Sequence, residues 1–230
     1  MAALKKLQMY IDGEFVDGHS GEYFESFNPF IGKPWCLVPR GSSDDVERAV
    51  NAAKVAFNEG EWPKIGATAR GHMLRKLGDL VAQNAEKLAE IEVKDNGKLI
   101  AEMGMQLKYI PQWYYYFGGL ADKIEGAVLP IDKADHFTYT SFEPLGVVGM
   151  IIPWNSPLLL VAWKLAPALA AGNTVVIKPS EYTSASVLEF IKLVEDSGFP
   201  KGVVNVVTGF GKEAGEPLVT HPAVSKIAFT

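Results

Sequence analysis

The sequence predicts an α/β fold in which N-terminal hairpins and helices lead into a doubly wound parallel sheet, and three observations predict it. Short β-branched runs recur in the second half of the chain, at Val147–Ile152, Thr174–Ile177, Val203–Val207 and Lys226–Phe229. Segments of helical length separate them, roughly Leu158–Ala171, Thr183–Ser197 and Lys212–His221. Ahead of them the apolar period switches at Ser42, from short alternating pieces to helical spacing. Near-continuous apolar strands have both faces covered, and helices between them give right-handed crossovers to parallel neighbours.

Taken in order, Met9–Ile11, Phe15–Val16 and Tyr23–Phe27 are strand-like pieces separated by Asp12-Gly13 and Asp17-Gly18, which are hairpin signals. Ser42, Ser43, Asp44 and Asp45 then supply a cap and an acidic first turn for a helix carrying Val46, Ala49, Val50, Ala53 and Phe57, which ends near Gly60. A longer helix is expected from about Ala67 to Lys94, striped by Leu74, Leu77, Leu80, Val81, Leu88 and Ile91 and stopped by Asn96-Gly97. A third is expected from about Leu99 to Asp122. Its aromatic run, Trp113 to Phe117, reads as core packing ahead of a channel lining. His136 to Phe142 alternates like an exposed strand, closed by Glu143-Pro144.

Composition bounds the function. With 230 residues, 48% hydrophobic and 21% charged, the chain has an ordinary globular make-up, enough for one large domain or one and a half smaller ones. A net charge of −5 with scattered lysines and arginines gives no basic stripe, so nucleic acid is not an expected partner. Neither a leader-like segment nor a bilayer-length apolar run is read, so the expectation is a cytoplasmic protein without membrane contact. The single cysteine, Cys36, cannot form an internal disulfide and reads as a small buried apolar residue. No metal-ligand cluster is read, and no Ser-Tyr-Lys constellation of an alcohol-oxidising enzyme.

In doubly wound sheets, ligands bind beyond the carboxyl ends of the strands. Three loops sit there. In the first, Asn155 is a neutral amide donor bracketed by Pro153 and Pro157. A fixed donor of that kind suits an oxyanion and is worth on the order of 10²–10³ in rate; a turn asparagine bonding its own backbone is the plain alternative. In the second, Lys178 and Glu181 stand three apart at the mouth of a buried strand, where a carboxylate can accept from a ribose and an ammonium can donate. The alternative there is a solvated surface pair. The third, Gly209 to Gly215, follows a strand and opens a helix, one residue longer than G-x-G-x-x-G; alone it indicates only a tight turn and a close approach to the backbone.

In their order and separations, these pieces resemble the NAD(P)-dependent aldehyde dehydrogenase superfamily over nearly the whole chain. The resemblance is carried by Ile151-Ile152-Pro153-Trp154-Asn155, by Lys178-Pro179-Ser180-Glu181, by the Gly-Phe-Gly loop and by Phe229-Thr230. Asn28-Pro29, Glu143 to Val148, Trp163-Lys164 and Pro167 to Asn173 add to it. It implies an aldehyde dehydrogenase-type, Rossmann-like fold. Residues 1–125 would be the N-terminal part of the cofactor-binding domain, 126–144 the start of an oligomerisation arm, and 145–230 the NAD-binding part, with the catalytic domain outside the chain. It also implies oxidation of a small-molecule aldehyde by a cysteine thiolate, hydride transfer to NAD and hydrolysis by a glutamate-activated water, in a homo-oligomer.

Carried over, Asn155 would be the catalytic oxyanion donor. Ile151, Ile152, Pro153 and Trp154 would flank the cofactor, with Lys178, Ser180 and Glu181 at its adenosine end. Gly211 and Gly215 would face its helix side, and Phe229 and Thr230 would also bind the cofactor. Lys164 would stand behind Asn155 as a supporting group. Glu181 favours NAD over NADP by repelling a 2′-phosphate, partly offset by Lys178. The family's nucleophile and general base lie beyond Thr230, and Cys36 is not at the nucleophile's position. The 230-residue chain is therefore expected to lack dehydrogenase activity by itself, and to leave a pyrophosphate site incomplete and a strand edge uncovered. The alternative is a catalytically inactive nucleotide-binding or interaction module that retains the fold.

Overall fold

A computed structural model describes residues 3–230. Strands β1 (Lys5–Lys6), β2 (Met9–Ile11), β3 (Glu14–Val16), β4 (Tyr23–Asn28) and β5 (Lys33–Pro39) open the chain. Helices α1 (Ser43–Asn58), α2 (Ala67–Gln83), α3 (Ala85–Asn96), α4 (Ile100–Tyr109) and α5 (Pro111–Leu120) follow. Then come β6 (Val128–Leu129), β7 (Thr138–Tyr139), β8 (Val147–Ile152), α6 (Pro157–Ala170), β9 (Thr174–Pro179), α7 (Ala185–Asp196), β10 (Val204–Val206), α8 (Glu216–Thr220) and β11 (Val224–Phe229).

The main sheet has the order β11-β8-β9-β10-β2-β3. Its first four strands run parallel, as the alternation of β-branched runs and helices requires. The N-terminal hairpin joins this sheet: β2 pairs antiparallel with β10 through Tyr10 and Val206, so the sheet is mixed. Asp12 and Gly13, at φ 55° and 78°, form the tight turn of that hairpin. A second sheet, β1-β5-β4, lies beside it, and β6 and β7 form a separate short ribbon.

Helices α1 and α8 cover one face of the main sheet, and α6 and α7 cover the other. Helices α2 to α5 form an outer layer over α6 and α7. The larger apolar core lies on that side, around Leu74, Leu165, Ile177 and Phe190; the smaller, around Val50, Val176 and Leu218, lies under α1 and α8. The Asp45 carboxylate fixes the start of α1 by accepting the N–H groups of Ser42 at 2.9 Å and His19 at 2.9 Å.

Two helices expected to be continuous are each broken. Asn84 stands between α2 and α3; its Nδ2 donates to the Leu80 carbonyl at 2.8 Å while its own carbonyl accepts from Leu88 at 2.9 Å. Its side chain thus competes with the helical ladder and closes one helix as it opens the next. Pro111 separates α4 from α5, because it has no N–H to offer the turn before it. The 136–142 strand shrinks to Thr138–Tyr139, paired with Val128–Leu129 in an arm whose Val128, Phe137 and Phe142 are exposed. In the aromatic run, Tyr114 is fully buried and Trp113 packs edge-on against Trp163, while Tyr116 faces outward.

Candidate cofactor and oxyanion site

Strand register brings the expected site residues together. Ile151 of β8 is flanked by Phe229 of β11 on one side and Lys178 of β9 on the other, and Ile152 lies beside Pro179. All these strands end at the same edge of the sheet, and the loops Pro153–Ser156, Ser180–Thr183 and Thr208–Gly215 leave from it. A parallel arrangement makes this unavoidable, since every strand carries its loop at the same end.

The turn Pro153–Ser156 is braced from below. Ser156 precedes α6, with Pro157 in the first helical position, where a missing N–H costs nothing. Its hydroxyl accepts from Lys98 Nζ at 2.8 Å and Gln106 Nε2 at 3.3 Å. Asn96 Nδ2 reaches the Asn155 carbonyl at 3.4 Å. Asn155 itself is exposed, and among the described residues its side-chain amide makes no hydrogen bond to its own backbone. A donor held by its backbone and free at its tip can meet charge developing on a substrate oxygen.

Lys178 and Glu181 meet, with Nζ to Oε2 at 3.2 Å. The lysine side chain is only 5% exposed and the glutamate 27%, so this is not the solvated surface couple of the plain reading. The ammonium is held at the strand mouth, and the carboxylate keeps a second oxygen for a hydroxyl. Ser180, half-buried, turns the chain between them, its carbonyl accepting from Thr183 N–H at 3.1 Å.

The third loop has a definite shape. Gly209 has φ 129°, and a Cβ there would stand 2.7 Å from the Gly41 carbonyl oxygen. Residues Gly211–Gly215 form one wide turn in which the N–H groups of Glu213, Ala214 and Gly215 point at the Phe210 carbonyl. That turn absorbs the residue by which the loop exceeds the shorter glycine spacing. At Gly211 and Gly215 a Cβ would meet nothing within 4 Å, so the space their missing side chains leave is open to an incoming group. An open cleft of about 740 Å³ lies alongside, lined by Trp154, Glu181, Thr183 and Phe210 and faced by Phe24 and Phe27. The buried Thr183 Oγ1 has no partner among the described residues.

The sequence aligns with the aldehyde dehydrogenase family over residues 15–230. The chain belongs to that family. It is 49% identical to (Z)-2-((N-methylformamido)methylene)-5-hydroxybutyrolactone dehydrogenase of Acinetobacter baylyi, covering 99% of this chain and 46% of that protein. It is 48% identical to hydroxyisobutyraldehyde dehydrogenase of Mycolicibacterium austroafricanum, over 96% and 44% of the two chains. Among solved structures, the NAD+ complex of an aldehyde dehydrogenase from Bacillus cereus superposes with a TM-score of 0.95 at 42% identity, covering 98% of this chain and 46% of that one. The chain thus spans about half the length of the relatives it matches.

Within this aldehyde dehydrogenase half, other candidate residues fall as follows. Lys164 is half-buried on α6 and donates to Thr230 Oγ1, so it is joined to the end of β11, and burial lowers its ammonium pKa. Phe229 is 73% exposed at the sheet edge, and Trp154 is 56% exposed. Cys36 is fully buried, and burial, with the Asp95 carboxylate nearby, pushes its thiol up to about 12. No helix among the described residues is long and apolar enough to cross a membrane.

Sequence reasoning missed the supporting shell. Lys98 and Gln106 lie on or beside α4, far along the chain from the serine they hold. Asp95 accepts from Ser26 Oγ at 2.7 Å, Ala185 N–H at 2.8 Å and Trp35 Nε1 at 3.1 Å, which ties α3 to β4 and to the start of α7. Burial raises its carboxyl to about 6 against those bonds, which favour the anion. The one available signal was a cluster of polar residues, Asp95, Asn96 and Lys98, at the end of an amphipathic helix.

Proposed function

We propose that this chain is the cofactor-binding half of an NAD-dependent aldehyde dehydrogenase, and that Asn155 is its contribution to catalysis. The observation that carries the reading is the alignment of Phe229, Ile151 and Lys178 across neighbouring strands, which gathers the oxyanion turn, the Lys178–Glu181 pair and the open glycine loop at one edge. The residues fit a dinucleotide. Lys178 and Glu181 would hold the adenosine ribose, Gly211 and Gly215 leave room for the cofactor against the third loop, and Ile151 to Trp154 form its apolar border. NAD, when bound, supplies a hydride acceptor. The chain's own part is to hold that cofactor, to brace the Asn155 turn through Ser156, and to offer the Asn155 amide to a carbonyl oxygen as it gains charge.

Glu181 supports NAD over NADP, because its carboxylate stands where a 2′-phosphate would add like charge. The 126–144 arm, with apolar side chains turned outward, supports a role in assembly of a homo-oligomer. The single cysteine cannot serve as the nucleophile: it is fully buried and its thiol stays protonated far above neutral pH. The 230-residue chain alone is therefore inactive as a dehydrogenase. Two measurements test the reading: NAD-dependent oxidation of short aldehydes by the purified chain, for which none is expected, and calorimetric titration with NAD and NADP. Saturable binding that favours NAD supports the assignment; equal binding of both, or none, counts against it.

A further inference from the structure

We propose that Arg40 is a positioning residue for cofactor binding, latching the Gly209–Gly215 loop in the shape that leaves Gly211 and Gly215 open to the dinucleotide. The inference rests on the cofactor reading of that loop.

Arg40 follows β5 directly, and its guanidinium forks onto Glu213, with Nε to Oε2 at 2.9 Å and Nη2 to Oε1 at 2.6 Å. The same guanidinium lies over the Phe210 ring at 5.3 Å, and that ring packs against Phe24 at 5.1 Å. The backbone beside Arg40 adds two more contacts. Thr208 Oγ1 donates to the Pro39 carbonyl at 2.6 Å, and the Gly41 carbonyl stands behind Gly209. Residues 39–41 thus grip the loop at Thr208, Gly209, Phe210 and Glu213.

A lone surface ion pair would order little, because both partners are long and solvated. This one differs in form: the fork fixes two atoms of each partner, and the ring beneath fixes the plane of the guanidinium. The rest of the loop has little to hold it. Gly211 and Lys212 are exposed, and the turn's own bonds go to the Phe210 and Gly211 carbonyls, at its start. Freeing Glu213 therefore lets a glycine-containing segment sample other shapes, and binding must then order it again.

The test uses the whole chain. Hydrogen exchange at the Glu213, Ala214 and Gly215 amides, read by NMR, reports the latch directly, and calorimetric NAD titration reports its consequence. Arg40→Ala should speed exchange at those amides and weaken NAD by about fivefold, while exchange in β8 and β9 stays unchanged. Arg40→Lys, which keeps the charge without the fork, should fall between. The reversed pair, Arg40→Glu with Glu213→Arg, should restore slow exchange and affinity in part, because Glu22 Oε2, 3.4 Å from Arg40 Nη1, repels the new carboxylate; a general loss of packing would show no recovery. Unchanged exchange at these amides in Arg40→Ala overturns the latch whether or not NAD binds. Faster exchange with undiminished NAD affinity overturns its role in cofactor binding. A wild-type chain that fails to bind NAD overturns the cofactor reading and that same role with it.

Discussion

Glu92 offers a sharp test of how the start of α6 is held. It lies on α3 with no solvent exposure, its Oε2 accepts from Leu158 N–H at the start of α6 at 3.4 Å, and its Oε1 has no partner among the described residues. Burial pushes its carboxyl from 4.5 up to about 8, against the Leu158 bond and the Lys98 charge, which favour the anion. Because the folded pKa is the higher one, the unfolded chain releases this proton first. The group's stabilising contribution is therefore complete below 4.5 and is lost as pH rises from there to about 8. At about 1.4 kcal/mol per unit the loss by pH 7.5 is about 4 kcal/mol, and about half that where water reaches the site as it ionises. Glu92→Gln removes the titration while its amide oxygen still accepts from Leu158. Urea unfolding at intervals from about pH 5 to pH 8 should show the variant gaining on the wild type by about 1 kcal/mol per unit. Asp95, raised from 3.8 to about 6, titrates in both proteins, and because its charge is one of the causes that raise Glu92 the difference carries that coupling as well. A difference that stays flat across this range would refute the reasoning.

Three further outcomes are expected. Gly209→Ala, at φ 129° and facing the Gly41 carbonyl, should cost about 1–3 kcal/mol in chemical unfolding; a cost near zero would show that the loop relaxes freely. Cys36, fully buried with its thiol raised to about 12, should resist a colourimetric thiol reagent in the folded chain and react at once in denaturant, and fast native labelling would contradict its burial. Glu181→Gln should weaken NAD by about tenfold and narrow its advantage over NADP, the expected effect of replacing a charged acceptor with a neutral one. An unchanged preference would remove Glu181 from the ribose site.

How much of this was legible in the sequence depends on range. The parallel strands were readable because each is a short apolar run with a helix on either side, and their loops followed from direction alone. Lys178 and Glu181 were readable because they stand three apart at one strand mouth. The pairing of β2 with β10 was not, since nothing local in Met9–Ile11 names a partner near the far end of the chain. The same limit hid Lys98, Gln106 and Arg40, whose partners come from remote loops. The break at Pro111 was readable in principle, since proline ends a helical pattern. At Asn84 the amphipathic stripe ran on through the break, and the helical period masked a side chain that caps one helix while opening another.

The central claim is that one edge of this sheet binds NAD through three loops. The measurement that tests it most directly is mapping of backbone amide shifts on an isotope-labelled chain as NAD is added. Changes concentrated at Ile152–Asn155, Lys178–Glu181 and Gly211–Gly215 are predicted, saturating together with one affinity. No shift at saturating NAD, or shifts confined to another surface, would contradict the account.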